Sequence, residues 1–546
     1  MIDQIHKLIY QRAQKAPDAE ALCYQGQRLT YADLSAQVHT LSQAYLNLAI
    51  ARCDRIAIYL EKRPEAVVAM FAASASGAVF VPINPLLKPD QVAYILADCN
   101  VRILVTSASR LQALTKILAQ CPELHTIIVT DAKHTISAAP PLTLMAWEQA
   151  LASNADLAPH RCIELDMAAI LYTSGSTGMP KGVVLSHRNL LSGASSVAEY
   201  LNNSSSDKIL AVLPLSFDYG LSQLTTAFSV GASVVLMNYL MPQDIVRAVV
   251  EENITGLAAV PPLWMQLSQQ KWPVTTSLRY ITNSGGVMQK TTLDALKAIF
   301  PSTQIVLMYG LTEAFRSSYL PPSELEQRPD SIGKAIPGAE LLVINKDGQV
   351  CAPNEAGELV HRGALVALGY WNDRPKTSER FRPVPTSLTG LPLPEIAVWS
   401  GDTVRMDADG YLYFIGREDD MIKVSGYRVS PTEVEQVIDR FEDVTESVAV
   451  GVPHPLMGQA IVLIVKQNQA KSLGREAIRQ KCQAQLPTYM VPAHIEIVSE
   501  NLPRNPNGKI DRKLLQSRFL ALFQVLSVAS IVDKVAGAVA ENAGSK

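Results

Sequence analysis

The stretch Met167–Gly182, MAAILYTSGSTGMPKG, joins an apolar run that predicts a strand to a loop of glycine, serine, threonine and lysine. Glycines let the backbone turn tightly and approach an anion, while hydroxyls and a lysine supply donors and positive charge. The loop predicts a polyphosphate cradle, although the common G-x-x-x-x-G-K-[ST] motif occurs nowhere in the chain. A merely flexible connection is the alternative interpretation.

Short apolar runs alternate with helical patterns on both sides of this loop, which predicts βαβ units and parallel sheet. The predicted strands are Arg55–Leu60, Ala78–Ile83, Val101–Thr106, Thr126–Thr130, Lys208–Leu213, Ser233–Met237, Gly256–Val260 and Gln304–Met308. The predicted helices are Pro64–Ala75, Pro89–Cys99, Leu221–Phe228, Asp244–Glu252 and Thr291–Phe300. Such repeats place ligands at the carboxyl ends of the strands.

The composition changes after Pro329, where short strands alternate with turns, and again near Asp419. We expect an N-terminal domain over residues 1–418, with a β-rich subdomain over about 330–418, and a small α+β domain over 419–546. The further predicted elements are the strands Glu340–Asn345, Gly357–Arg362, Tyr411–Ile415, Ser447–Val452, Ala460–Val465 and His494–Val498 and the helices Pro431–Phe441 and Arg475–Gln485.

Bulk composition excludes several classes of protein. The 546 residues carry 48 basic and 51 acidic side chains, a net charge of −3, so a nucleic-acid partner is not expected. Seven scattered cysteines without a C-x-x-C pair indicate neither a zinc site nor a disulfide framework, which favours the cytoplasm. No apolar run reaches the roughly 18 residues of a bilayer span, and the amphipathic N-terminus is unlike a signal peptide.

Four further polar clusters follow in order along the chain. They are Tyr309–Glu313, Trp399–Asp402, Gly416–Arg428 and Asn505–Asp511. Each alone is typical of an ordinary turn or exposed loop. Their joint order and spacing carry the functional prediction.

The set resembles the adenylate-forming superfamily of acyl-CoA synthetases, carrier-protein-dependent amino-acid adenylating enzymes and beetle luciferases, over nearly the whole chain. The matching motifs are TSGSTGxPKG at Thr173–Gly182, YGxTE at Tyr309–Glu313, GELxxRG at Gly357–Gly363, the long motif Gly401–Glu435 and PxxxxGKIdR ending at Arg512. The resemblance implies an α/β fold with doubly wound sheets in a large N-terminal domain and a small mobile C-terminal domain.

It also implies a two-step reaction. A carboxylate attacks the α-phosphate of ATP to give an acyl-adenylate and pyrophosphate, and a thiol then takes the acyl group and releases AMP. Such a displacement needs charge neutralisation and positioning, not an enzyme nucleophile.

The resemblance assigns roles to single residues. Residues of the opening loop would hold the β- and γ-phosphates: Thr173, Ser174, Gly175, Ser176, Thr177, Gly178 and Lys181. Around the nucleotide, Thr312 would contact the α-phosphate, Glu313 would bind Mg²⁺, Tyr309 would pack on adenine, Asp402 would accept from the ribose hydroxyls, and Arg417 would lie near ribose and phosphate. Lys509 would bridge the substrate carboxylate and the α-phosphate, and Asp419 would be the hinge of the C-terminal domain.

The segment Pro214–Gly220 bears on the substrate. Its Phe217-Asp218 pair stands where amino-acid adenylating enzymes of this superfamily place an aspartate on the substrate's α-ammonium. An internal ion pair between Asp218 and Arg316 is the alternative, because a buried carboxylate needs a partner. The remaining predicted pocket walls are mostly small or apolar and favour a compact substrate: Tyr219, Ala259, Ser284, Gly285 and Met308.

This region is similar to stand-alone enzymes that load L-proline onto a carrier protein, and to acyl-CoA ligases of exopolysaccharide and exosortase gene clusters. The expected function is therefore ATP-dependent loading of a small amino acid, such as L-proline, onto the phosphopantetheine of a separate carrier protein. An acyl-CoA ligase for a small or aromatic acid is the alternative, since Met421–Pro431 is closer to acyl-CoA ligases. A luciferase-type oxidative enzyme and a non-catalytic nucleotide-binding scaffold are further alternatives.

The apolar tail Leu514–Val535 is expected to be helical. It would either pack on the C-terminal domain or dock a carrier protein or another subunit.

Overall fold

The computed structural model describes residues 2–131, 142–153, 156–173, 180–274, 276–286, 288, 290–384, 392–417, 421–441, 443–467, 473–503 and 510–523. The chain divides into two compact units, the first formed by the described residues up to Arg417 and the second by those from Met421 onward. Helices and sheets mix in both units, and the first also holds an antiparallel β-rich section. The predicted α/β class with an α+β C-terminal part is therefore confirmed.

The largest sheet of the first unit has nine strands in the described part of the chain. Its middle strands are parallel and its edges antiparallel, as βαβ repeats with hairpin edges require. In spatial order the strands are Lys334–Ala335, Ser318–Leu320, Gln304–Tyr309, Tyr280–Asn283, Gly256–Ala259, Lys208–Ala211, Ser233–Leu236, Glu20–Tyr24 and Gln27–Thr30.

A second sheet contains eight strands among the described residues. In spatial order they are Gly369–Tyr370, Lys181–Ser186, Met167–Thr173, Val79–Pro82, Arg55–Tyr59, Val101–Thr106, Thr126–Val129 and Thr143–Ala146. The strand Met167–Thr173 pairs antiparallel with Lys181–Ser186, so that Thr173 lies opposite Lys181. The two ends of the opening motif are thus held by one strand pair.

The β-rich section is an antiparallel sheet. In spatial order its strands are Ala339–Ile344, Ala356–Gly363, Ile396–Met406 and Phe381–Pro383, and Leu412–Arg417 also pairs with Ile396–Met406. In this last pair Asp402 lies opposite Arg417.

Helices cover the two large sheets. The α-helices of the first unit are Lys7–Lys15, Tyr31–Asn47, Pro64–Ser76, Pro89–Asp98, Ala108–Leu114, Trp147–Leu151, His187–Tyr200, Asp218–Val230, Pro242–Glu251, Pro261–Ser268, Lys290–Ile299 and Arg374–Arg380. The helix Pro64–Ser76 is buried continuously from Ala66, and one core cluster joins it to strand residues of both sheets, such as Leu22 and Phe80. A helix that is apolar on every side must lie between layers, so the two sheets share one core.

The second unit is a smaller sheet covered by helices. Its strands in spatial order are Tyr427–Val429, Ile422–Val424, Gly458–Gln467 and Val444–His454, with His494–Val498 parallel to Gly458–Gln467. Its α-helices are Pro431–Ile438, Arg475–Gln485 and Arg512–Ser517.

The described part of the tail packs on this second sheet. Leu515 is buried in a cluster with Val450 and Val462, and Phe519 and Phe523 pack against the same cluster. For these residues the packing interpretation of the tail holds, and the predicted tail beyond Phe523 lies outside the described residues.

Several predicted bounds differ from the structure. The helix predicted over Leu221–Phe228 begins three residues earlier, at Asp218, because Phe217 adopts the extended conformation that starts a helix. The helix predicted over Pro431–Phe441 ends at Ile438. The sequence interpretation missed the strand Tyr280–Asn283 and the helix His187–Tyr200, both of which line the site described next.

Candidate active site

Lys181 lies at the start of its strand, opposite Thr173. Burial lowers the pKa of its ammonium, and the Lys376 ammonium adds to that effect, while nearby carboxylates, including that of Glu313, oppose it. The predicted phosphate loop thus has one cationic end within electrostatic reach of the predicted metal ligand. Ser174, Gly175, Ser176, Thr177 and Gly178 lie outside the described residues.

Glu313 is held by a tyrosine that the sequence interpretation missed. It belongs to the short 3-10 turn Thr312–Ala314, and its carbonyl accepts a hydrogen bond from the N–H of Ala367 at 2.9 Å. Tyr370 Oη donates to Glu313 Oε1 at 2.6 Å, and Lys181 Nζ lies 5.6 Å from the centre of the Tyr370 ring. Because Tyr370 reaches this place by pairing with the strand of Lys181, no local sequence motif marks it.

Asp402 lies in the strand Ile396–Met406 of the β-rich section, beside an irregularity in the pairing with Leu412–Arg417. The residue is 4% exposed, and Tyr309 Oη donates to Asp402 Oδ2 at 2.5 Å. Gly401 has φ +69°, a left-handed backbone conformation that favours glycine. The structure therefore brings together Tyr309, Asp402 and the backbone of Arg417, although Tyr309 precedes the other two by more than ninety residues.

Asp218 opens the helix Asp218–Val230 and is already paired. Arg316 Nη1 donates to Asp218 Oδ2 at 2.8 Å, with the arginine side chain 2% exposed and the aspartate 17% exposed. The internal ion pair that the sequence left as an alternative is thus formed. A Cβ on Gly220 would lie 1.9 Å from the carbonyl oxygen of Pro214, so only glycine allows this close turn before the helix.

A small cavity lies beside this ion pair. Its volume, counted over the positions that the centre of a water molecule can occupy, is about 10 Å³, which is enough for one water molecule. It is lined by Val197, Leu201, Ile209, Tyr219, Ser222, Gln223, Thr226, Tyr280, Thr282, Met308 and Arg316. Burial raises the pKa of the Tyr219 hydroxyl above its ordinary value, and that hydroxyl is 2.6 Å from Thr282 Oγ1.

The predicted pocket walls divide into two groups. Tyr219, Met308 and Arg316 line the cavity, whereas the others lie outside its lining: Phe217, Ala259, Ser284 and Gly285. The sequence interpretation missed Ser222 and Thr226. These lie four and eight residues after Asp218, a helical spacing of polar side chains that marks one face.

Two predicted residues, Lys509 and Asp419, lie outside the described residues. Within the described ranges, histidine, cysteine, aspartate and glutamate form no group of three that could hold a metal ion alone. Glu313 therefore stands as a single carboxylate ligand candidate. None of the helices that the structure describes combines the length and apolarity needed to cross a bilayer.

Comparison with known proteins identifies the family. The family model described as AMP-binding enzyme matches residues 9–371, and that of the AMP-binding enzyme C-terminal domain matches residues 433–509. The chain belongs to the AMP-binding enzyme family. The predicted membership of the adenylate-forming superfamily is thereby confirmed.

Relatives of this AMP-binding enzyme differ greatly in length. L-proline–[L-prolyl-carrier protein] ligase of Streptomyces coelicolor is 31% identical over 89% of this chain and 91% of its own. Tyrocidine synthase 1 of Brevibacillus parabrevis is 27% identical over 94% of this chain, which spans 44% of that protein. The chain spans only 6% of the length of a linear gramicidin synthase from the same organism, to which it is also 27% identical.

Among solved structures, a double mutant of o-succinylbenzoate CoA synthetase from Bacillus subtilis is similar. Its TM-score is 0.81 at 25% identity, over 94% of this chain and 98% of that one. Members of the AMP-binding enzyme family are AMP-forming ligases, among them carrier-protein ligases and acyl-CoA synthetases. The chain is accordingly an AMP-forming ligase that uses ATP.

Proposed function

We propose that the chain activates a small amino acid with ATP and loads it onto the phosphopantetheine thiol of a separate carrier protein. The supporting observation is Asp218, a carboxylate that opens a helix beside a cavity of about 10 Å³. Such a carboxylate can exchange its arginine partner for a substrate ammonium. L-proline is the first compound to test, since a relative of nearly the same extent is named for it.

The nucleotide would bind along the residues that the fold gathers in the first unit. Tyr309 would pack on adenine while Asp402 accepts from the ribose hydroxyls, with Arg417 opposite. Thr312 would contact the α-phosphate, and Lys181 would neutralise the leaving pyrophosphate. Lys509 would supply positive charge where the carboxylate attacks phosphorus.

The donor set around Glu313 fits Mg²⁺. This ion is commonly held by one or two carboxylates together with substrate phosphates and water, and Glu313 provides one oriented carboxylate. When bound, Mg²⁺ would neutralise phosphate charge. Tyr370 orients the Glu313 carboxylate by donating to Oε1, which leaves Oε2 for a ligand.

An acyl-CoA ligase for a small or aromatic acid is the second candidate. The ion pair between Asp218 and Arg316 favours it, because a carboxylate that already has a cation does not require an ammonium. The likeness to a CoA synthetase agrees with this candidate.

ATP–pyrophosphate exchange by the full chain separates the two candidates. The panel contains L-proline and other small amino acids, each beside the matching acid without its amino group. We expect exchange with an amino acid and a loss of at least about 30-fold in kcat/KM for Asp218→Asn, since removing one partner of a buried charge pair is costly. Asp294→Asn, an exposed aspartate on another helix, is the matched control.

Exchange that is equal for the acids without an amino group would instead establish the acyl-CoA ligase. The acceptor is then read by mass spectrometry, comparing a phosphopantetheinylated carrier protein with free CoA. A mass shift of the carrier protein by one substrate residue is expected.

A further inference from the structure

Arg316 carries unused hydrogen-bond donors inside the protein. Both hydrogens of its Nη1 are occupied, one by Asp218 Oδ2 and one by the carbonyl oxygen of Phe315, each at 2.8 Å. Nε and Nη2 are buried and have no hydrogen-bond partner among the described residues. A buried donor without a partner destabilises the folded protein, and a charged donor does so more strongly. Two of the three guanidinium nitrogens of Arg316 therefore have no acceptor among the described residues.

The donors belong to a side chain that lines the cavity, and the cavity is polar on that side. The guanidinium carbon lies 4.8 Å from the centre of the Tyr219 ring, within the range of a cation–π contact. Thr226 also lines the cavity, and its Oγ1 too lacks a partner within the described part of the chain. Two side chains from different elements thus line one small space, and each has buried polar atoms without a partner among the described residues.

We propose that this cavity receives an oxygen acceptor carried on the side chain of the substrate, held by Arg316 Nε and Nη2 with Thr226. This inference rests on the proposed function, because it assumes that the substrate's reacting carboxylate points toward the nucleotide residues. The substrate class is a small amino acid whose side chain ends in a hydroxyl or carboxylate oxygen. Arg316 is then the residue that determines specificity.

Size and charge agree with this class. A cavity of about 10 Å³ accepts one oxygen atom without rearrangement. When the substrate ammonium pairs with Asp218, the positive charge of Arg316 is neutralised less fully. An oxygen acceptor near Arg316 would restore that neutralisation. A purely aliphatic side chain such as the ring of L-proline would offer these donors no acceptor.

Matched pairs of substrates test the inference by ATP–pyrophosphate exchange with the full chain. The pairs are L-serine with L-alanine, 4-hydroxy-L-proline with L-proline, and L-aspartate with L-2-aminobutyrate. We expect the oxygen-bearing member of at least one pair to have a kcat/KM at least about tenfold higher, as the loss of a hydrogen bond to a charged group implies. The serine and aspartate arms distinguish a hydroxyl from a carboxylate.

Variants assign the preference to the cavity. Arg316→Met and, independently, the nearly isosteric Thr226→Val should each lower the preference, with Arg316→Met bringing the ratio close to one. Thr225→Val is the matched control: its hydroxyl donates to the carbonyl of Ser222, and its side chain does not line the cavity. It should keep the wild-type ratio. Thr226→Val keeps the test valid if Arg316→Met fails to fold.

Each outcome decides a different statement. Preference for L-proline or another aliphatic member, unchanged in Arg316→Met and Thr226→Val, overturns the inference and leaves the proposed amino-acid ligase standing. Preference for oxygen-bearing acids that lack an amino group overturns the proposed function and supports the acceptor site. No exchange with any member counts against both.

Discussion

Gly193→Ala tests whether packing under the Thr312–Arg316 turn holds the site together. Gly193 lies inside the helix His187–Tyr200, and a Cβ there would lie 2.5 Å from Cδ1 and 2.8 Å from Cε1 of Phe315. The Phe315 ring is fully buried, and its backbone has φ +56°, a conformation that non-glycine residues rarely adopt. The ring is therefore enclosed by other atoms, and it cannot move away from an added methyl group without displacing them.

Two effects of opposite sign compete in this variant. Alanine in place of a helical glycine should stabilise by about 1 kcal/mol. Overpacking a closed core costs about 1–3 kcal/mol, and the pinned ring places this site at the upper end. We expect a net destabilisation of about 1–2 kcal/mol, which lowers the Tm of a unit of about 400 residues by roughly 1–3 °C.

Activity should fall further than stability. Phe315 is followed by Arg316 and preceded by the turn of Thr312 and Glu313, so displacing its ring moves all three side chains. Misplacement by about 1 Å costs on the order of 100-fold in rate. ATP–pyrophosphate exchange at a temperature well below the melting transition measures this loss.

A second-site change supplies the control for Gly193→Ala. Phe315→Leu removes the ring atoms that the new methyl group would meet, so the double variant should melt above the temperature expected from adding the two single effects. A higher Tm for Gly193→Ala with full exchange activity is the outcome that helix propensity alone predicts, and it would refute the steric reasoning.

Three further predictions follow from other contacts. Tyr309→Phe removes the donor to Asp402 Oδ2 and should raise the KM for ATP about tenfold, measured by exchange kinetics. Arg512→Met removes the charge partner of the largely buried Glu435 and should destabilise the second unit by about 3–5 kcal/mol, measured by calorimetry. Burial lowers the pKa of His187 to about 4, so the unfolded chain binds a proton near pH 6.5 that the folded chain does not bind until about pH 4, and Tm should fall with pH in that window.

Matched variants control these predictions. Lys513→Met changes an exposed neighbour of Arg512 and should leave the second transition in place. His187→Gln should reduce the dependence of Tm on pH between 6.5 and 4, and equal slopes for variant and wild type would contradict the assignment. An unchanged KM for ATP in Tyr309→Phe would show that Asp402 needs no help from the tyrosine.

Much of the fold could be predicted from alternating patterns. The strand Val101–Thr106 and the helix Arg475–Gln485 were predicted to the residue, because apolar periodicity and flanking turn residues report local structure directly. The helix His187–Tyr200 was missed, since its small and polar residues weaken the apolar signal. Its capping box at Ser186 and Asn189 was the available mark.

The candidate site was predicted less evenly. Tyr309 and Asp402 were predicted to bind one nucleotide, because each belongs to a motif of the resemblance. In the structure their side chains share a hydrogen bond. Tyr370 could not be predicted, since its contact with Glu313 depends on long-range strand pairing. The same holds for the unused donors of Arg316, because only the packed structure shows which polar atoms remain without partners.

The helix Asp218–Val230 would make the proposed substrate site simple to redesign. Ser222 and Thr226 lie one and two turns after Asp218, so one helix supplies both residues to the lining of the cavity beside the ion pair of Asp218 with Arg316. Exchanging these side chains alters shape and polarity without touching a loop, and Gly220 is the position on that helix that must stay fixed. Under the proposed function, a few point substitutions along this helix would change the range of substrates.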